Sequence, residues 1–441
     1  MLDRTQAPDF QRIQKVNLAQ ARSAQLPNGI GLHWLNAGEQ PVLRLEYLFR
    51  AGSWYEPQRS ASFFTAKMLN EGTKQRSANE ISAWFDQFGS FIEINHSAER
   101  INLTVYTITK HLPSLLPLLH ELITESVFPE KELANVKNIT RQNLQVNLQK
   151  TSFLAQHRFR ELIFGEDHPY GKYTREDDIE TTDQAAVVSY YEDAIRERPF
   201  DVLLSGQVTE ATLRLVEAHL ADFDVRKDTI SRPDLPPAPS ATTHEVIARP
   251  DSMQSSIRYG KRLVQPDGQP FTRRSPDYFQ VSVLNEILGG YFGSRLMKNI
   301  REDKGFTYGI HSSLGLFRQE GFLVIGTDVK KEFTSQTLEE IRREISQLCS
   351  EPVPDDELET VKNYLLGSFA GSVTTPFSLA DHFKTIYLNG LSYDFFDRYV
   401  SAITETTSES LLTLARQYLD ADTFTQVIVG GLPQASITQG A

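Results

Sequence analysis

Cysteine is nearly absent from this 441-residue chain, with Cys349 the only one. A single thiol can neither close an intrachain disulfide nor supply a cysteine-based zinc site. Basic residues are in deficit: 45 Lys and Arg stand against 57 Asp and Glu, for a formal net charge of −12. That balance disfavours nucleic acid, whose phosphates reward clustered cations, and leaves basic peptides open as ligands. No apolar run approaches the ~20 residues that span a bilayer, so no membrane partner is expected. The stretch from Met1 to Gln20 is polar and lacks the apolar centre of a secretory signal, which makes a soluble, cytoplasmic protein the expectation.

What the chain does contain is a repeat. Leu69-Asn70-Glu71 recurs as Leu284-Asn285-Glu286, and Ile94-Asn95-His96-Ser97 is answered by Ile310-His311-Ser312. The pairs Leu69/Leu284 and His96/His311 share one offset, since 284 − 69 and 311 − 96 both equal 215. Thr107-Ile108-Thr109-Lys110 is matched by Thr327-Asp328-Val329-Lys330, five residues out of that register, and a short loop insertion would account for the slip. Two like domains of ~200 residues each follow. They are expected at 1–225 and 246–441, joined by a linker over 226–245. That linker holds Pro233, Pro236, Pro237 and Pro239, a density that continues neither a helix nor a central strand.

Patterning fills in the elements. In the first half, strands are expected over Ile30 to Leu35, from Val42 to Phe49, over Phe91 to His96 and Ile101 to Tyr106, and from Pro199 to Gly206. Ser77 and Glu80 form a capping box at a helix start, and Leu112, Leu115, Leu116, Leu119 and Leu122 make an apolar helical stripe. The second half repeats the plan, with strands near 246–248, 256–264, 307–316 and 321–328 and helices over 277–288, 294–301, 331–348 and 355–371. Strands followed by helices, without βαβ alternation, imply an α+β fold. It is expected as two homologous domains, each a mainly antiparallel sheet backed by helices, facing each other as a clamshell.

The element order, the near-equal halves and the phrases Asn70-Glu71-Gly72-Thr73 and Ser294-Arg295-Leu296 resemble the insulinase/pitrilysin-type peptidases. The resemblance is closest to their short two-domain branch, which includes the mitochondrial processing peptidases. Catalytic members carry an inverted zinc motif, His-x-x-Glu-His, just before the Gly-Thr pair. Two imidazoles hold the ion, the Glu activates water and a distant Glu completes the site. Anchored on Gly72-Thr73, the motif falls on Phe63-Phe64-Thr65-Ala66-Lys67, and the distant carboxylate falls at Gln142-Asn143. Phe63 has no lone pair for zinc, Ala66 accepts no proton and Lys67 brings a positive charge. Asn143 offers no carboxylate. Elsewhere His120-Glu121 opens like His-Glu-x-x-His, but position 124 is Thr. No metal site is expected in this chain.

The second half keeps a different pair. Arg301 and Tyr308 stand seven residues apart at the place where the family's Arg and Tyr bind the carbonyl beside the scissile bond. A guanidinium and a phenol are donors able to steady an oxyanion. Taken alone, Arg301 could equally be a helix residue paired with Glu302 or Asp303. The resemblance also places Ile94, Asn95, His96 and Ser97 on an edge strand that adds an extended substrate as another strand. Gly289, Gly290 and Gly293 are a weak phosphate-loop signal, because they lie between helices. The resemblance therefore implies a non-catalytic subunit of a heterodimeric zinc peptidase. Its partner would be a homologous zinc-bearing subunit and its ligands unfolded peptides, with a homodimer open to the isolated chain. The alternative is a scaffold or peptide-binding protein with no role in proteolysis.

Overall fold

A computed structural model describes residues 16, 18–226, 239 and 242–431. Most of the expected 226–245 linker, including Pro233, Pro236 and Pro237, lies outside the described residues. The chain forms two compact units. One contains residues 19–226 together with Thr375–Phe383; the other contains residues 242–374 and 384–431.

The first unit is a six-stranded sheet backed by helices. Its strands are β1 (Arg22–Gln25), β2 (Gly31–Asn36), β3 (Val42–Phe49), β4 (Phe91–His96), β5 (Ile101–Ile108) and β6 (Phe200–Gly206), in the order β1-β2-β6-β3-β5-β4. Only β2 and β6 pair in parallel. The helices are α1 (Ala61–Met68), α2 (Ala78–Gln87), α3 (Leu112–Thr124), α4 (Glu130–Leu148), α5 (Thr151–Phe164), α6 (Glu176–Thr181), α7 (Gln184–Tyr191) and α8 (Glu210–Ala221). The expected capping box starts α2: Ser77 accepts the Glu80 amide, and the Glu80 carboxylate accepts the Ser77 amide. Leu43, Leu45, Tyr47 and Phe49 alternate along β3 into the core with Phe64, Leu115, Leu119 and Val216.

The intervening β3 residues Arg44 and Glu46 are buried too, although alternation marks them for solvent. The start of a helix from the second half of the sequence covers them. Asp381 accepts from Arg44 Nη1 and Nη2 at 3.1 and 3.0 Å, and the Phe377 carbonyl accepts from Nη2 at 3.0 Å. Glu46 lies 2.8 Å from the same guanidinium.

The second unit holds β7 (His244–Ala248), β8 (Gln254–Leu263), β9 (Thr307–Leu316), β10 (Gly321–Lys330) and β11 (Thr425–Gly430), in the order β7-β11-β8-β10-β9. Its helices are α9 (Tyr278–Asn285), α10 (Thr334–Ser350) and α11 (Asp355–Ser372), followed by α12 (Pro376–Leu388), α13 (Asp394–Glu405) and α14 (Ser408–Tyr418). The residues before Lys384 in α12 belong to the first unit. Without β1, the two sheets have one topology, with β2, β6, β3, β5 and β4 matching β7, β11, β8, β10 and β9. The five-residue slip in the repeat is not a loop insertion. Ser97–Arg100 and 317–320 are turns of equal length, and Thr107 and Thr327 each hold the seventh place of β5 and β10. The extra residues lengthen β9 beyond His311. Not anticipated were β1, α6, α8 and α12 to α14, and the expected helices over 277–288 and 294–301 run into π-helical turns at 286–290 and 297–303. Among the described residues, no helix is long and apolar enough to cross a membrane.

Helix α1 separates fold from chemistry, and two substitutions expose this. Phe64→Ala, at a fully buried position, is expected to cost about 3–5 kcal/mol, and Lys67→Ala, at an exposed one, within about 0.5 kcal/mol. Urea unfolding of both variants checks the contrast; equal losses would contradict the packing.

Candidate functional site

The zinc-motif positions sit on α1, with Ala66 buried in the core, Phe63 half-buried and Lys67 exposed. Lys67 lies one turn beyond Phe63, and its ammonium stands 5.9 Å from the Phe63 ring centre. The Phe63 ring meets the His96 ring edge-on at 5.9 Å. Asn143 is exposed on α4, the helix that packs on α1. The donor set does not fit zinc: phenyl and methyl groups have no lone pairs, and an ammonium repels a dication. A carboxylate in place of Ala66 would moreover be buried in an apolar core. Among the described residues, no group of three or more His, Cys, Asp and Glu is placed to hold a metal ion.

A polar network fills the space beside Phe63. Glu56 accepts from the Ser62 amide at 3.1 Å and from Ser62 Oγ at 2.6 Å, and its other oxygen lies 2.5 Å from Lys172 Nζ. Ser62 Oγ also lies 2.8 Å from His96 Nε2. Burial, then the Lys172 and Lys67 charges, push the His96 pKa down to about 4, so the ring is neutral at pH 7. Sequence reasoning did not find Glu56, Ser62 or Lys172, because no local spacing links them.

Among the described residues β4 is the edge of its sheet, pairing with β5 alone, and it carries Ile94, Asn95 and His96. Asn95 is exposed, whereas His96 is turned toward Ser62 and Phe63. Ser97 lies past the strand end. Its amide donates to the Arg100 carbonyl and its carbonyl accepts the Ser53 amide, so its backbone is committed to the turn.

In the second unit, Arg301 lies within a π-helical turn (Met297–Asp303), and Tyr308 follows on edge strand β9. The guanidinium lies 4.6 Å from the centre of the Phe292 ring and 5.6 Å from that of Tyr308. Stacking of this kind holds a guanidinium in place while leaving its N–H groups available. Among the described residues, no ion pair forms between Arg301 and Glu302 or Asp303. Tyr308 is 93% exposed and Phe292 63% exposed. Together with Tyr291, Phe306 and Tyr364, these two aromatics line a cleft of about 940 Å³. Phe292 was legible only as an aromatic among glycines. Those glycines serve packing: a Cβ at Gly289 would lie 2.6 Å from the Ser312 amide, and one at Gly290 2.4 Å from the Glu286 carboxylate.

These features coincide with a known family. The model for insulinase (peptidase family M16) matches residues 39–166, and that for the peptidase M16 inactive domain matches residues 183–365. The chain belongs to the insulinase-type peptidase family. It is 21% identical to the uncharacterized zinc protease YmxG of Bacillus subtilis, over 82% of this chain and 86% of the relative. It is 22% identical to a Helicobacter pylori protein named non-peptidase homolog YmxG, over 69% and 68%. In structure it is similar to a peptidase M16 inactive domain from Pseudomonas fluorescens, with a TM-score of 0.80, 22% identity and coverage of 94% and 98%. A protease from Helicobacter pylori gives a TM-score of 0.82 at 16% identity, covering 94% of this chain and 100% of the other. At these identities the structures establish the fold.

Burial also sets a pH dependence. It lowers His96 and His157 to about 4 and His219 to about 3. Between these values and the ordinary 6.5, the unfolded chain binds protons that the folded chain refuses. Stability is therefore full above about pH 6.5 and falls as pH drops toward 4. His96 alone contributes about 3 kcal/mol at full extent. Urea unfolding at pH 7 and 4.5 is expected to show this loss, with a shallower pH dependence in His96→Gln; parallel profiles would contradict it.

Proposed function

We propose that this chain is the non-catalytic subunit of a heterodimeric zinc metallopeptidase and lends Arg301 and Tyr308 to peptide hydrolysis by the complex. One observation carries the proposal. The guanidinium of Arg301 is stacked on Phe292 and Tyr308 without an ion-pair partner among the described residues, beside a phenol that faces solvent. A donor pair held open in this way suits a ligand that brings its own oxygen. The homologous partner subunit holds the zinc and supplies the hydrolytic chemistry. Arg301 and Tyr308 donate to the substrate carbonyl beside the scissile bond, and their bonds strengthen as its oxygen gains charge.

Unfolded peptides suit the exposed edge of β4, where among the described residues no strand neighbours one side of the backbone. Ile94, Asn95 and His96 carry that edge, while Ser97 shapes the turn behind it. The expected compartment is the cytoplasm, and a homodimer is the form expected when the partner is missing. A second reading is a scaffold or peptide-binding protein uninvolved in proteolysis; the name of the Helicobacter pylori relative favours it. A neighbouring reading frame for the same two-domain plan with His-x-x-Glu-His intact would separate the two.

Arg301→Ala is expected to lower kcat/KM of the reconstituted complex by about 100-fold, and Tyr308→Phe by about 10-fold or more. Both positions are at the surface, so the melting temperature of this chain should shift by no more than ~2 °C. Full activity in both variants would refute the assigned role.

A further inference from the structure

We infer that Lys172 is a structural cation: its ammonium is the charge around which the first turn of α1 and the end of β4 are organised. Lys172, Glu56, Phe63 and His96 line one small cavity of about 50 Å³. Within it the Glu56 side chain is 2% exposed and the Lys172 side chain 12% exposed, so each requires the other's charge.

Glu56 passes the constraint on. Its second oxygen accepts both the amide and the hydroxyl of Ser62, which fixes the opening turn of α1. The single hydroxyl proton of Ser62 is thereby used, so at the 2.8 Å contact His96 Nε2 is the donor and the Ser62 oxygen the acceptor. A continuous chain of bonds thus runs from the ammonium to the last residue of β4.

The loop that carries Lys172 is built to deliver it. Arg59 Nη1 donates to the Glu166 carbonyl at 3.0 Å and Nη2 to the Tyr173 carbonyl at 3.2 Å, while Nε donates to Asp178 at 3.2 Å. Gly171 packs so closely that a Cβ there would lie 2.2 Å from the Gly165 carbonyl. The Lys172 amide itself donates to the His168 carbonyl at 2.9 Å. One ammonium balances one buried carboxylate, and Lys67 adds a further positive charge close by. A divalent ion entering this space meets two like charges, and among the described residues no group of three or more His, Cys, Asp and Glu is placed there to hold it. The site therefore holds its shape without metal, and Lys172 and Glu56 act as positioning residues for the β4 edge. This inference does not depend on the heterodimer proposal.

A double-mutant cycle on the full chain tests it, in buffer containing a metal chelator. Lys172→Met is expected to lower the melting temperature by roughly 10 °C, because Glu56 loses its counter-charge. Combining it with Glu56→Gln should recover at least half of that loss. Amides of β4 should exchange with solvent at least ~10-fold faster in Lys172→Met, with those of β3 and β6 unchanged. The chelator itself should leave the unsubstituted chain unaffected. A melting temperature within ~2 °C of the parent, losses that merely add, unchanged exchange in β4, or destabilisation by chelator would each overturn the inference. If Lys172→Met yields no folded protein, a folded double variant supports it and an unfolded one overturns it.

Discussion

A divalent ion requires lone pairs, and helix α1 presents a phenyl ring, a methyl group and an ammonium where those lone pairs belong. The proposed function turns on this mismatch, and the fold is untouched by it. Phe64, Thr65 and Met68 pack inward and keep α1 in the core, while Phe63 and Lys67 lie on its outer side. Losing a ligand at Lys67 costs the core nothing, and Phe63 is half-buried and packs against the core. Ala66 is different, because it is buried at 2% exposure and now contributes packing. Returning a carboxylate there would require repacking as well as chemistry.

The internal repeat shows what each half has kept. Both sheets share a strand order, and each leaves one strand of the repeated hairpin as its edge, β4 in the first unit and β9 in the second. In the first unit the space beside that edge is filled by an ion pair and a hydroxyl. In the second, a longer β9 carries an exposed tyrosine beside an arginine that rests on Phe292. One copy has closed its polar site on itself and the other has left its donors open. That asymmetry is the one the proposed non-catalytic role requires.

Local features were legible in the sequence; distant pairings were not. The capping box at Ser77 and the buried run of β6 follow from short-range pattern, and the structure has both, whereas the alternation that located β3 does not extend to its burial, which is continuous from Leu43 to Phe49. Thr209 likewise caps α8 by accepting the Thr212 amide, a signal within reach of sequence reasoning. Arg44 and Glu46 read as solvent-facing because their cover comes from Phe377 and Asp381, and Asp381 lies 337 residues from Arg44. The Lys172–Glu56 pair and the Phe292 platform are equally non-local. The seven-residue spacing of Arg301 and Tyr308 marked two residues that do meet, but spacing alone could not show that aromatic rings, and not Glu302 or Asp303, hold the guanidinium.

The most direct test of the central claim is zinc content and peptide hydrolysis measured together. Both are followed in the purified chain after incubation with zinc, and again after a zinc-bearing subunit of the same family is added. The account predicts no stoichiometric zinc and no hydrolysis by this chain alone, with activity appearing only in the complex. One tightly bound zinc per chain, accompanied by hydrolysis without a partner, would contradict it.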